Sequence, residues 1–223
     1  MEEVRIVEVK QSVLADNNQD ADALRAELKA EKTFLLNLMS SPGSGKTTLL
    51  LALAKAFAGK LNWAVMEADI DASVDAETMQ KVGVRCIQIH TGGMCHLDAS
   101  MTRQGLAELG TEKTDLVILE NVGNLVCPAE FDTGASKNIT LLSVPEGHDK
   151  PLKYPLMYEV CDLLVITKTD VLDYFDFDRE KVIEYAKLRN PDIEVLFVSA
   201  KTGDGIPELA EWILERITEW NSI

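Results

Sequence analysis

The stretch Ser40-Ser41-Pro42-Gly43-Ser44-Gly45-Lys46-Thr47 constrains this chain more than any other. It follows the apolar run Phe34-Leu35-Leu36-Asn37-Leu38-Met39 and opens into a leucine-rich helical pattern. It matches the Walker A pattern, G-x-x-x-x-G-K-[ST], except that Ser40 stands where the first glycine is usual. Gly43 and Gly45 let backbone N–H groups turn inward around phosphate. Lys46 supplies a point charge for the β/γ oxygens, and Thr47 a hydroxyl for Mg²⁺. The following helix aims its positive end at the same spot. A glycine-rich turn elsewhere carries no such meaning; the strand before and the helix after make this one a phosphate loop. Ser41, Pro42, Gly43, Ser44, Gly45, Lys46, Thr47 and Thr48 are the expected contacts. Ser40 is costly only if its position requires a positive φ.

The rest of the chain alternates in the same way. Apolar runs at 33–39, 63–68, 84–89, 116–119, 139–144, 163–167 and 195–198 read as strands. Several are apolar on both faces, as strands of a covered parallel sheet must be. Amphipathic stretches at 47–58, 75–82, 97–109, 179–188 and 206–220 read as helices. The pattern predicts an α/β fold with a doubly wound, mostly parallel sheet, and ligands at the carboxyl ends of its strands. Before it, Val13, Leu14, Ala21, Leu24 and Leu28 form one apolar stripe. Residues 1–30 thus read as a short N-terminal helical extension, and 31–223 as the nucleotide-binding domain.

A net charge of −15 repels phosphate backbones, so nucleic acid is not an expected partner. No apolar run approaches the roughly 20 residues that span a membrane. The acidic start, Met1-Glu2-Glu3-Val4-Arg5, is no secretory signal, so a cytoplasmic location is expected. The four cysteines, Cys86, Cys95, Cys127 and Cys161, are then expected as reduced thiols.

Two later segments concern the base. Thr167-Lys168-Thr169-Asp170 resembles the Asn-Lys-x-Asp element of GTPases, with Thr167 in place of the Asn. A carboxylate at Asp170 can accept from both N1–H and the 2-amino group of guanine, a donor pair that adenine lacks. Lys168 would lie along the purine, and Thr167 weakens the match. Ser199-Ala200-Lys201 follows the next strand and resembles the second base-contacting element. Glu120-Asn121-Val122-Gly123 resembles the Asp-x-x-Gly switch, with Glu120 able to hold a Mg²⁺-bound water and Gly123 to turn its N–H toward the γ-phosphate. Lys46, Glu120 and Gly123 are the candidate catalytic residues. Thr47, Asp69, Asp75 and Glu120 are the candidates on the magnesium side. Each of Asp69, Asp71 and Asp75 also suits a helix cap or a solvated acid. No Gln or Arg is placed to activate water, which predicts slow hydrolysis completed by dimerisation or a partner.

A third constellation is Cys95-His96, just after the strand at 84–89, and Cys127, seven residues past Glu120. Both segments are expected to leave neighbouring strand ends. Two sulfurs and a nitrogen suit Zn²⁺ or Ni²⁺ and do not close a structural tetrahedron. The site stays open or borrows ligands from a second chain, as a carrier needs. Cys86 and Cys161 read as core, and His90 and His148 as loop residues without a companion ligand.

These residues together resemble the HypB family, the nickel-incorporation GTPases of nickel–iron hydrogenase maturation. Three stretches carry the resemblance: Gly92-Gly93-Met94-Cys95-His96-Leu97-Asp98-Ala99, Glu120-Asn121-Val122-Gly123-Asn124-Leu125-Val126-Cys127-Pro128-Ala129, and Glu146-Gly147-His148-Asp149-Lys150-Pro151-Leu152-Lys153-Tyr154-Pro155. The resemblance covers almost the whole chain from the phosphate loop onward. It implies GTP hydrolysis with Mg²⁺, a nucleotide-dependent homodimer, and nickel or zinc at Cys95, His96 and Cys127. It also implies two partners, the accessory protein HypA and the hydrogenase large subunit, with the N-terminal helix as a docking surface. Some family members carry an N-terminal cysteine motif or a histidine-rich stretch, and this sequence shows neither before its phosphate loop. Two other readings remain open: a maturation GTPase for another metalloenzyme, and a metal-buffering protein that binds nucleotide without using hydrolysis.

Overall fold

The computed structural model describes residues 9–69 and 74–222, with side chains from 14 to 68 and from 78 to 222. In chain order the elements are α1 (Val9–Glu31), β1 (Phe34–Ser40), α2 (Lys46–Phe57), β2 (Trp63–Asp69), α3 (Val74–Lys81), β3 (Arg85–His90), α4 (Ala99–Leu109) and β4 (Leu116–Glu120). There follow α5 (Cys127–Glu130), β5 (Lys137–Ser143), α6 (Lys150–Lys153), α7 (Pro155–Glu159), β6 (Leu163–Thr167), α8 (Arg179–Arg189), β7 (Glu194–Phe197) and α9 (Ile206–Ser222). The seven strands form one sheet in the order β3-β2-β4-β1-β5-β6-β7. Each pair is parallel, so the sheet is wholly rather than mostly parallel among the described residues.

Every residue of β1, β4 and β6 is buried, as their unbroken apolar runs require when helices cover both faces. Alternation sorts those residues between two layers. Leu36 and Leu38 pack with Leu49, Leu50 and Leu53 of α2 and Leu209 and Ile213 of α9. Leu35 meets Leu24 and Leu28 of α1 and Leu106 of α4, and Met39 meets Met157 of α7 and Val182 of α8. The N-terminal extension is thus packed onto the sheet through Ala21, Leu24 and Leu28, as its apolar stripe predicts. Val13's side chain lies outside the described residues.

Asn37 is the polar exception inside β1. Its amide donates to Asn138 Oδ1 at 3.0 Å and accepts from Asn121 Nδ2 at 3.1 Å, so burial costs no unmet hydrogen bond. This links β1 to β5 and to the residue that follows Glu120 in β4.

Candidate functional site

The phosphate loop joins the end of central β1 to the start of α2. Gly43 has φ +75° and Gly45 +100°, conformations that a side chain resists. Gly45 also stands at the N-terminal cap of α2, directing the unpaired first N–H groups of that helix toward the loop. Ser40 takes no positive φ, so its departure from glycine carries no backbone strain. Its hydroxyl instead accepts from Ser44 Oγ at 2.6 Å and from Lys46 Nζ at 3.0 Å. Ser44 is fully buried, whereas Pro42, Gly43 and Thr48 are exposed and Thr47 half-buried.

The two segments expected to contact the base sit beside this loop, as β6 and β7 follow β5 in the sheet. A cleft of about 220 Å³ is lined by Ser44, Gly45, Thr48, Thr167, Lys168, Asp170, Ala200 and Lys201, together with the apolar Leu49, Val171 and Val198. Thr167, which stands where the motif has Asn, is placed against the loop. Its hydroxyl donates to the Ser44 carbonyl at 2.6 Å and ties the base element to the phosphate loop. Lys168 holds φ 59° and donates to the Gly43 carbonyl at 2.7 Å. A left-handed lysine is costly, and neighbouring contacts must hold it there. Asp170 accepts from Ser199 Oγ at 2.8 Å, with Lys201 Nζ at 3.5 Å from its other oxygen. The Ser199 hydrogen bond, aided by Lys201, holds the Asp170 carboxyl below the usual carboxylate range. It is therefore an acceptor at neutral pH, the form that reads a guanine edge.

On the other side of the loop, Glu120 ends β4 opposite Leu38 and Glu67 and is buried. Gly123 comes so near the loop that a Cβ there would lie 3.1 Å from Pro42 Cγ and 3.2 Å from Pro42 N. The switch-like segment thus touches the phosphate loop at a contact where any side chain would push Pro42 back by a few tenths of an ångström. The side chains of Asp69 and Asp75 lie outside the described residues, as does the whole of Asp71.

The metal-ligand candidates lie further along the same edge, and their strands are not neighbours. β2 stands between β3 and β4, so the two segments must reach across it. They do meet. The neighbouring Cys95 thiol, more than burial, pushes the Cys127 thiol up from its ordinary value. Cys95 Sγ lies 3.9 Å from His96 Nδ1. The His96 ring stacks on Phe131 with centroids 3.8 Å apart, and burial pushes its pKa down, toward the neutral ligand form. Among the described residues no three His, Cys, Asp or Glu groups converge as a ready metal set. The donor chemistry of two thiols and an imidazole fits a thiophilic ion. Cys86 and Cys161 are buried in the core, and Cys86 is pushed up to about 12, chiefly by burial. His148 accepts from the Asp178 N–H at 3.2 Å and serves structure.

Sequence reasoning missed the supports. Glu146 accepts from Ser41 Oγ of the phosphate loop while bonding Ser143 N and Oγ at 2.9 and 2.7 Å. The only signal was its place in the third diagnostic stretch. Asn17, Asn37 and Asn138 gave none, because nothing in a sequence pairs one asparagine with another.

With this geometry in view, the comparisons with known proteins are consistent with one another. Residues 34–197 match the CobW/HypB/UreG nucleotide-binding domain. The chain is 46% identical to hydrogenase maturation factor HypB of Azotobacter vinelandii over 209 residues, 94% of this chain and 69% of that protein. It is 40% identical to the hydrogenase/urease maturation factor HypB of Helicobacter pylori, over 96% of this chain and 89% of that one. The crystal structure of HypB from Helicobacter pylori in complex with nickel superposes with a TM-score of 0.86 at 40% identity, covering 92% of this chain and 96% of that one. The match over most of the chain, in sequence and in fold, means that this chain belongs to the HypB family of the CobW/HypB/UreG nucleotide-binding class.

Proposed function

We propose that this protein is a cytoplasmic GTP-hydrolysing metallochaperone that carries nickel, or zinc, for insertion into nickel–iron hydrogenase. One observation carries the reading. A single short segment runs from Glu120, through the Gly123 contact with Pro42, to the Cys127 thiol beside Cys95. Whatever moves Gly123 relative to the phosphate loop moves Cys127 as well.

In this reading Ser41 to Thr48 hold the phosphates of GTP, and Lys46 neutralises charge that develops as the γ-phosphate leaves. Thr47, Glu120, Asp69 and Asp75 would hold Mg²⁺, which when bound would supply further neutralisation of phosphate charge. Water attacks the γ-phosphorus, the bond to the bridging β/γ oxygen breaks with GDP as leaving group, and inorganic phosphate departs with the water's oxygen while the released proton goes to solvent. Gly123 loses the γ-oxygen its N–H faced, and the segment bearing Cys127 relaxes. Cys95, His96 and Cys127 bind the ion as cargo, completed by a second copy of the chain in a homodimer. HypA and the hydrogenase large subunit are the proposed source and destination. The Helicobacter pylori relative's name, which includes urease, supports a second destination, another nickel enzyme.

The test is metal titration of the full chain with a GTP analogue, with GDP and without nucleotide. Coupling through one two-state element predicts affinities that differ, and reciprocal effects of metal on nucleotide binding. Equal metal affinity in all three states would remove the coupling. A Lys46→Ala variant that still matures hydrogenase would remove the role of hydrolysis and leave the metal-buffering reading.

A further inference from the structure

The two thiol-bearing segments leave strands separated by β2, so sheet hydrogen bonding does not set their spacing. Adjacent strands lie about 4.8 Å apart, which puts these strand ends roughly 10 Å from each other. A side chain from a third element reaches both segments. The Asn17 amide, on α1, accepts from Ala99 N at 3.0 Å and donates to the Asp132 carbonyl at 2.9 Å. Ala99 opens α4, four residues after Cys95, and Asp132 lies five residues after Cys127. The residue is 9% exposed, so water is poorly placed to replace either bond.

Each partner has a reason to need this amide. Ala99 N belongs to the first turn of a helix, where N–H groups lack an intrahelical acceptor. Asp98 caps that turn at Met101 N and leaves Ala99 N to Asn17. Asp132 follows Phe131, the ring on which His96 stacks. Further along α1, Arg25 grips the same segment, donating to both Asp132 carboxylate oxygens at 2.8 Å and to the Ala135 carbonyl at 3.0 Å.

We infer that Asn17 is a positioning residue for the thiol pair, holding the Cys95-His96 and Cys127 segments at a separation that one metal ion can bridge. This rests on the metal-carrier reading above. It assigns α1 a role in the metal site that needs no ligand from α1 itself. A supporting residue behind a metal ligand typically changes affinity by about tenfold to a hundredfold.

The experiment titrates Co²⁺ into the full-length, GDP-loaded protein, following thiolate-to-metal charge-transfer absorption. Asn17→Ala should weaken Co²⁺ by about tenfold or more and alter the absorption, with GDP affinity unchanged in the absence of metal. Asn17→Asp keeps the acceptor for Ala99 N and loses the donor to Asp132. It should show a smaller loss, and it covers the case in which the alanine variant fails to fold. Leu28→Ala loosens α1 packing without touching the tie and should keep the wild-type spectrum and affinity. The inference is overturned if both Asn17 variants bind Co²⁺ as wild type does, or if Leu28→Ala loses as much as they do. If Cys95→Ala and Cys127→Ala also bind like wild type, the metal-carrier reading falls with it. If they lose Co²⁺ while the Asn17 variants do not, only the role of Asn17 falls.

Discussion

The cleft proposed to read the base and the thiol pair stand on one edge of the same sheet and are built in opposite ways. In the cleft every recognition side chain is already tied to a neighbour: Thr167 to Ser44, Lys168 to Gly43, Asp170 to Ser199. At the thiol pair two sulfurs meet, but His96 stacks on Phe131 and no three-ligand set is formed among the described residues. Preorganisation suits a ligand whose binding must be selective, because the ordering cost is met on folding. Incompleteness suits a cargo that must leave, because a fully closed tetrahedron releases its ion slowly. In the function proposed above, the difference between the two regions is the difference between holding and carrying.

The largest effect should come from the part both regions share. Lys46→Ala should lower GTP hydrolysis by about a hundredfold or more, read as phosphate release at saturating GTP. A loss under tenfold would mean that the loop's charge does little for the reaction. Next, Cys127→Ala should weaken Ni²⁺ or Zn²⁺ by at least about tenfold in a chelator competition, since a ligand matters no less than its supports. GTP affinity without metal should stay within about twofold; a larger change would show that the two regions are not separately built.

Asp170→Asn sharpens the other side. Losing a charge-assisted pair to guanine costs about 2 kcal/mol, roughly thirtyfold in GTP affinity by competition with a fluorescent analogue. Metal affinity without nucleotide should not change. The smallest effect belongs to Thr167→Val, which removes the hydroxyl bond to Ser44 and leaves a buried carbonyl short of a partner. It should cost about 1 kcal/mol in denaturant unfolding and about fivefold in GTP affinity. If Thr167→Val binds GTP as tightly as the wild type, the tie between base element and phosphate loop is ornamental.

How far each region can be read from sequence follows the same division. The phosphate loop is legible because its chemistry is local: the glycines, Lys46 and Thr47 act within one turn of chain. The strands are legible because burial on both faces leaves unbroken apolar runs. Asp170 and the Glu120-to-Cys127 spacing are legible because each is read from one short segment after a strand. The Thr167 tie is not legible, because its partner is a backbone carbonyl 123 residues away, invisible to a motif built on side-chain identity. The thiol segments do not leave neighbouring strands, contrary to what their order in the chain suggests. Chain order places β3 immediately before β4, while the sheet inserts β2 between them.

By itself, then, the sequence determined the α/β alternation, the phosphate loop and the residue types able to read guanine and bind a soft metal. Local hydrogen bonding and burial periodicity act over a few residues, so a linear text records them. Only the tertiary structure decided strand order, the thiol contact across β2, the Thr167 tie and the Asn17 bridge. Those depend on which distant groups are left unsatisfied once the core has packed, and a buried polar group takes its partner from whatever the fold brings near.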